Sequence, residues 1–394
     1  MNPGQTLQLV LQKGNIQNNT NAYTGSVLAK LRDCRTSVMG YHHYQCDNPY
    51  CHHVHYQYHG CRNRHCPSCN WQKQEEWMEA RMNELLPVKY FHVVFTLPHE
   101  LNGLVMGNRE KLFKQLFDSA SHCLLTLGKD PKWLGAMPSI SAVLHTWGQQ
   151  LTFHPHVHCI VSGGGVDKQL NWVNLKKKSS KGYLFPYDVM EPMFKKHFMR
   201  NLSRMVENNE IRVARKTHWQ TLKTHLEGKK WVVYAKSPMG SVSQVVEYLA
   251  RYAHKVAISN HRILEVGQSS VEFQYKDYID NKKIKPMKLT TPEFIRRFEQ
   301  HILPRGFVKM RHYGILGNSN RKKRVNEILK KMKLPIHPPT VKVPYQLRML
   351  EKYGVDVSLC PVCKKGRLEC LGIIYPDCRG SPFDPSSFEI QKTA

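Results

Sequence analysis

Six of the twelve cysteines fall between Cys34 and Cys69, interleaved with histidines, and four more fall between Cys360 and Cys378. A segment so rich in Cys, His and Tyr, and so poor in regular apolar periodicity, folds around metal rather than around hydrocarbon. Residues Met1 to Asn19 lack the basic and apolar regions of a signal peptide, and no stretch approaches the roughly 18 apolar residues of a membrane span. The expected location is therefore cytoplasmic, with no membrane partner. In that reducing compartment the cysteine clusters point to zinc rather than disulfides. Cys66-Pro-Ser-Cys69 has the spacing of a zinc knuckle, and a structural zinc takes four tetrahedral ligands. The preferred set is Cys46, Cys51, Cys66 and Cys69, which leaves Cys34, His42, Cys61 and His65 available to a second ion. Four residues separate Cys46 from Cys51, where two are more usual. Cys360-Pro-Val-Cys363, with Cys370 and Cys378 at looser spacing, offers another zinc set, the alternative being thiols without a metal. Cys123 and Cys159 sit in apolar runs and read as core.

Composition divides the chain. Residues 1–72 form the zinc module, and residues 73–87 a connecting helix, with Trp77, Met78, Arg81, Met82 and Leu85 at helical spacing before Pro87. Residues 88–262 carry strands at Tyr90–Leu97, Ser141–Trp147, His154–Val161 and Trp231–Tyr234. Helices are expected at Glu110–Leu127, about 189–208 and Ser241–His254. The Gly163-Gly164-Gly165 run ends the third strand, and a basic insertion occupies about 166–190. Residues 263–394 form a basic C-terminal region with strands at 263–266 and 271–276 and a helix opened by Thr291-Pro292-Glu293. Strands and helices intermix without a βαβ rhythm, so the fold class is α+β rather than a doubly wound sheet.

In His154-Pro-His-Val-His158 the alternation of a strand puts three imidazoles on one face. Pro155 suits a strand start, which makes His156 and His158 the better-fixed pair. Across the expected hairpin His145 is a candidate third metal ligand, with Gln149 and His154 as rivals. In Glu247-Tyr-Leu-Ala-Arg-Tyr-Ala-His-Lys255, Tyr248 and Tyr252 lie four apart on an expected helix and share a face. A phenol with a pKa near 10 is a poor nucleophile unless its target phosphate is polarised by a cation. Arg251, His254 and Lys255 add positive charge beside it. Lysine and arginine number 58 against 30 acidic residues, a formal net charge of +28, so a polyanion is the default partner, nucleic acid first. Arg62 and Arg64, between zinc ligands, are candidate DNA contacts.

His156-Val157-His158 matches the histidine-hydrophobic-histidine motif of the HUH endonuclease superfamily, and Tyr248 with Tyr252 matches its two-tyrosine branch. The strings Phe95-Thr-Leu-Pro-His-Glu-Leu101, His154-Pro-His-Val-His158, Tyr248-Leu-Ala-Arg-Tyr252, Ile258-Ser-Asn-His-Arg262 and Arg311-His-Tyr-Gly314 resemble those of rolling-circle transposases of the insertion sequence 91 family. Cys61-Arg-Asn-Arg-His-Cys-Pro-Ser-Cys69 is similar to that family's zinc-binding domain. The resemblance covers roughly residues 30–320.

The resemblance implies an HUH domain with a central antiparallel β-sheet flanked by helices, a small N-terminal zinc-binding domain and a mixed C-terminal region. It implies a transposase in which His156 and His158 hold Mg2+ or Mn2+, the third ligand staying open among His145, Gln149 and His154, while one or two Zn2+ ions are structural. Tyr248 and Tyr252 are the nucleophiles, and the product is a 5′-phosphotyrosine link with a free 3′-hydroxyl. Single-stranded DNA, the transposon-end hairpin and target DNA are the implied partners. No Walker motif is recognisable, so unwinding falls to a host helicase or to replication. Two rivals remain: a rolling-circle replication initiator or relaxase with the same chemistry, and a zinc-dependent DNA-binding regulator without it.

Overall fold

The computed structural model describes residues 5–14, 21–69, 77, 81, 84–175, 184–213, 216–239, 244–245, 255–317, 320–338, 343–376 and 390–391. In chain order its first elements are α1 (Leu7–Lys13), α2 (Ala22–Arg32), β1 (Tyr41–Cys46) and β2 (Val54–Tyr58). The middle of the chain supplies β3 (Tyr90–Thr96), α3 (Asn102–Gly107), α4 (Arg109–Lys129), β4 (Met137–Trp147), β5 (Phe153–Val166), β6 (Trp172–Asn174), α5 (Tyr187–Glu207), α6 (Lys216–Gly228) and β7 (Val233–Met239). The remainder supplies β8 (Ile263–Val266), β9 (Ser270–Asp277), β10 (Lys283–Thr290), α7 (Thr291–Glu299), β11 (Met310–Gly314), α8 (Arg321–Lys331), α9 (Tyr345–Tyr353), β12 (Leu368–Ile374) and β13 (Ile390–Gln391). The fold is α+β with antiparallel sheets, as expected. Among the described residues no helix is long and apolar enough to cross a membrane.

The central sheet runs β11-β4-β5-β3-β7, antiparallel throughout, with β6 paired to the end of β5. Alternation gives it two chemically distinct faces. Phe91, Val93 and Phe95, Ile140, Ala142 and Leu144, and Val157, Cys159 and Val161 point to one side. There they pack against an apolar stripe of α4 (Leu112, Phe113, Leu116, Phe117, Ala120, Cys123, Leu124, Leu127) and against Phe194, Phe198 and Leu202 of α5. Each of these helices repeats apolar residues three and four apart, which is why one face buries. The other face of the sheet carries Tyr90, His92, His145, His156, His158 and Ile160.

The glycine run does not end β5, which continues through it to Val166. These glycines permit close approach instead: a Cβ on Gly164 would lie 2.4 Å from the Trp172 indole, and one on Gly165 2.6 Å from the Met137 carbonyl oxygen. Part of the expected insertion is thus β6, folded back on β5.

Elements of the 263–394 segment pack against earlier parts of the chain. β11 completes the edge of the central sheet beside β4. β8, β9, β10 and α7 share a core with α1 and α2, where Leu7, Val10, Val27 and Leu28 meet Val271, Phe273 and Phe294. β12 pairs with β1, giving a second sheet in the order β13-β12-β1-β2. Apolar residues of the short N-terminal helices have no sufficient core of their own, so distant segments cover them. Of the expected connecting helix only Trp77, Arg81 and residues from 84 are described, and the expected helix Ser241–His254 lies outside the described residues apart from Gln244 and Val245, which are helical.

Candidate metal centre and its cleft

The β4–β5 hairpin sets His145 directly opposite His156. His158, two residues on, shares the face, and one ring nitrogen from each of His145, His156 and His158 lies within 4.8 Å of the others. Ring centroids are 4.6 Å apart for His145–His158 and 4.8 Å for His156–His158. Gln149 and His154 line the same cleft, and His154 does not join this group.

A hydrogen bond fixes which nitrogen His156 offers. His156 Nδ1 lies 2.7 Å from the His154 carbonyl oxygen, which only accepts, so Nδ1–H donates and Nε2 is left for a ligand. His158 Nδ1 lies 2.9 Å from His92 Nε2 on β3. A His158 that uses Nε2 for a cation carries its proton on Nδ1 and donates it to His92. Burial, followed by the neighbouring His154 and then Lys255, holds His156 down to about 3. Burial, then His145, His156, His92 and Lys255, holds His158 well below the usual imidazole value. Neutral imidazole is the form that binds metal. His92 escaped the reading of the sequence. Its signal was there: Phe91, Val93 and Phe95 face the core, so His92 must face the other way.

The cleft of about 440 Å³ is walled by this hairpin and by β9, with Lys255, Arg262, Tyr275 and Asp277 among its lining residues. Trp147 stacks on His145 at 4.6 Å and carries the Lys309 ammonium 5.1 Å from its ring centroid. Lys309 also donates to the Lys255 carbonyl at 2.9 Å, and burial, then Arg64 and Lys255, pushes it down to about 7. On the far side of the hairpin His301 is buried, its Nδ1 3.2 Å from Thr146 Oγ1 and its Nε2 3.1 Å from the Leu151 carbonyl oxygen. Since that carbonyl only accepts, His301 Nε2–H donates to it and Nδ1 accepts from the Thr146 hydroxyl.

Tyr248, Tyr252, Arg251 and His254 lie outside the described residues. Lys255 is exposed at the cleft. Arg62 is exposed, with its backbone in the left-handed region at φ 51°. Arg64 is exposed as well, and its two terminal nitrogens donate to the Phe307 carbonyl at 2.7 and 2.8 Å.

The cysteines group differently from the sets expected. Cys34, Cys61, Cys66 and Cys69 converge, with Cys34–Cys69 sulfurs 3.4 Å and Cys34–Cys66 sulfurs 3.7 Å apart. Cys46 and Cys51 lie instead with Cys360 and Cys363. His42 and His65 belong to neither group. His59 donates through Nδ1 to the Met39 carbonyl and so accepts from His42 Nδ1 at 2.9 Å. His65 accepts from the Leu303 amide at 3.3 Å, and burial holds it down to about 3. Cys370 is apart from the group, its thiol directed at the Gly372 carbonyl at 3.6 Å, and Cys378 lies outside the described residues. Both Cys123 and Cys159 are fully buried in the main core.

The profile of the family described as "Putative transposase" matches residues 140–324, and that described as "Transposase zinc-binding domain" matches residues 6–97. Over 353 residues, 87% of this chain and 87% of the relative, the sequence is 35% identical to "Putative transposase y4qJ" of Sinorhizobium fredii (strain NBRC 101917 / NGR234). It is 28% identical over 343 residues, 85% of this chain and 80% of the relative, to the transposase for insertion sequence element IS801 of Pseudomonas savastanoi pv. phaseolicola. No solved structure matches it.

Proposed function

This chain belongs to the insertion sequence 91 family of two-tyrosine transposases, and from that premise we propose that it nicks and rejoins single-stranded DNA through Tyr248 and Tyr252 at the histidine cleft. The antiparallel sheet that presents the histidines is then an HUH nuclease core. The observation that carries this reading concerns two residues flanking the tyrosines. Val245 is buried beside Tyr90 and Ile160 on the histidine face of the sheet, and Lys255 lines the cleft with His145, His156 and His158. Tyr248 follows Val245 by three residues and Tyr252 precedes Lys255 by three, and three residues extend a chain by no more than about 11 Å.

His145, His156 and His158 fit a divalent cation because their nitrogens converge, the imidazoles of His156 and His158 are held neutral, and His92 pairs with Nδ1 of His158 and so leaves its Nε2 for the ion. Mn2+ or Mg2+ bound there supplies positive charge that polarises the scissile phosphate. Lys255 adds a further cation at the mouth of the cleft. The attacking phenol gives its proton to solvent, its oxygen bonds to phosphorus, the bond from phosphorus to the 3′ oxygen breaks, and that oxygen takes a proton from solvent. That leaves a 5′-phosphotyrosine and a free 3′-hydroxyl, and the second tyrosine takes a second strand before the first is resolved. The substrates in this account are the transposon-end hairpin and target DNA as single strands, with unwinding supplied by the host. The cysteine quartet Cys34, Cys61, Cys66 and Cys69 holds a structural zinc that fixes the N-terminal domain.

The test is cleavage of end-labelled single-stranded DNA carrying the element's own termini, with Mn2+, Mg2+ or chelator. Wild-type protein cleaves only with metal, whereas His156→Ala combined with His158→Ala binds the DNA without cutting it. Cleavage by the double variant removes the histidines from the chemistry. Binding without cleavage by the wild type under every metal condition favours a zinc-dependent regulator.

A further inference from the structure

Cys46 and Cys51 close the hairpin of β1 and β2, and more than 300 residues later Cys360 and Cys363 precede β12. The four sulfurs lie within 4.8 Å of one another, with Cys46–Cys363 at 3.7 Å and Cys51–Cys360 at 3.8 Å. These separations are far too long for disulfides, whose sulfurs lie about 2.05 Å apart. They are the separations that zinc imposes: four thiolates at about 2.3 Å from one tetrahedral ion lie about 3.8 Å from each other.

The surroundings are shaped for the quartet. Cys46 and Cys360 are buried. Asn48 bends the Cys46–Cys51 loop, its side chain accepting from the Tyr50 amide at 3.0 Å and its carbonyl from the Cys51 amide at 2.9 Å. This turn lets a pair with four intervening residues act like a knuckle. On the opposite side the Gly366 amide donates to Cys363 Sγ at 3.3 Å, the kind of bond that supports a thiolate ligand. A Cβ on Gly366 would lie 2.5 Å from Cys46 Sγ, so the chain passes against the sulfurs where only glycine fits. β12 then pairs with β1 in a register that sets Cys46 opposite Leu368.

We propose that Cys46, Cys51, Cys360 and Cys363 bind a second structural zinc, distinct from that of Cys34, Cys61, Cys66 and Cys69, which clamps the C-terminal strand β12 onto the N-terminal zinc module. The clamp makes the seating of residues 358–374 dependent on metal. It stands independently of the tyrosine chemistry.

The test uses the full-length protein. Zinc content by inductively coupled plasma mass spectrometry falls by one equivalent per chain in Cys360→Ser combined with Cys363→Ser, and hydrogen exchange shows residues 368–374 losing protection while 137–166 keep theirs. If the double variant also loses protection at 137–166, the same quantities are read on the wild type during stepwise chelation, where one equivalent of zinc leaves together with the protection of 368–374. An unchanged zinc content in a folded double variant overturns the proposal. So does stepwise release of zinc from the wild type that leaves 368–374 protected.

Discussion

His92 Nε2 lies 2.9 Å from His158 Nδ1, with the two rings stacked at an interplanar angle of 11°. A histidine on β3 thereby sets the ring orientation of a histidine on β5. In the proposed centre His92 is a positioning residue, and partners of this kind tune metal affinity by about 10–100-fold. His92→Ala is expected to raise the Mn2+ concentration for half-maximal cleavage by about that factor. Cleavage should recover at high Mn2+, and His92→Asn, which keeps an acceptor, should fall between. A loss of activity that excess metal does not restore would assign His92 another role.

Arg64 is expected to contribute to stability rather than to DNA affinity, because its guanidinium is committed to the Phe307 carbonyl. Arg64→Ala should lower the thermal midpoint while leaving the salt dependence of DNA binding unchanged. A phosphate contact, by contrast, would reduce the slope of log affinity against log salt by about one. Parallel thermal melts and salt titrations distinguish the two roles.

Gly314, at φ 65°, ends β11 where an added Cβ would lie 1.9 Å from the Pro138 carbonyl oxygen. Gly314→Ala must move β11 away from β4 and also adopt a strained backbone. The expected cost is at least about 2 kcal/mol, measured as a shift in the urea midpoint at unchanged slope. A shift close to zero would contradict the packing described at this edge.

Much of this was legible from residue patterns. Alternation in His154–His158 and the β4–β5 hairpin located the histidine face, and the structure sets His145 opposite His156. The zinc sets were legible only as an inventory of ligands. Nothing local to Cys46 or Cys51 announces Cys360 and Cys363, because the pairing of β1 with β12 is a long-range register. The same holds for Arg311–Gly314, whose basic character masked an edge strand beside β4. His42 and His65 matched a ligand pattern, yet each is committed to a partner that folding supplies, His59 and the Leu303 amide.

His301 gives the fold a defined acid response. Burial holds it down to about 4, against an ordinary value of 6.5. As pH falls below about 6.5 the unfolded chain takes up a proton that the folded chain refuses until about pH 4, so stability declines across that window. The decline is about 1.4 kcal/mol per pH unit for this group, of the order of 3 kcal/mol in all. Urea midpoints at pH 7 and 4.5 measure it, and His301→Gln, which can keep both hydrogen bonds, should lessen the decline by about that amount, leaving the share of His65 and His156, which burial holds lower still. An equally steep decline in that variant would remove His301 as its source.

The most direct test of the central claim is peptide mass spectrometry of the protein after reaction with single-stranded DNA carrying the element's termini, in Mn2+ and in chelator. The account predicts a metal-dependent DNA phosphate adduct on Tyr248 or Tyr252, absent from Tyr248→Phe combined with Tyr252→Phe although that variant still binds the DNA. Metal-dependent cleavage with no adduct on either tyrosine, or cleavage that survives both substitutions, would contradict it.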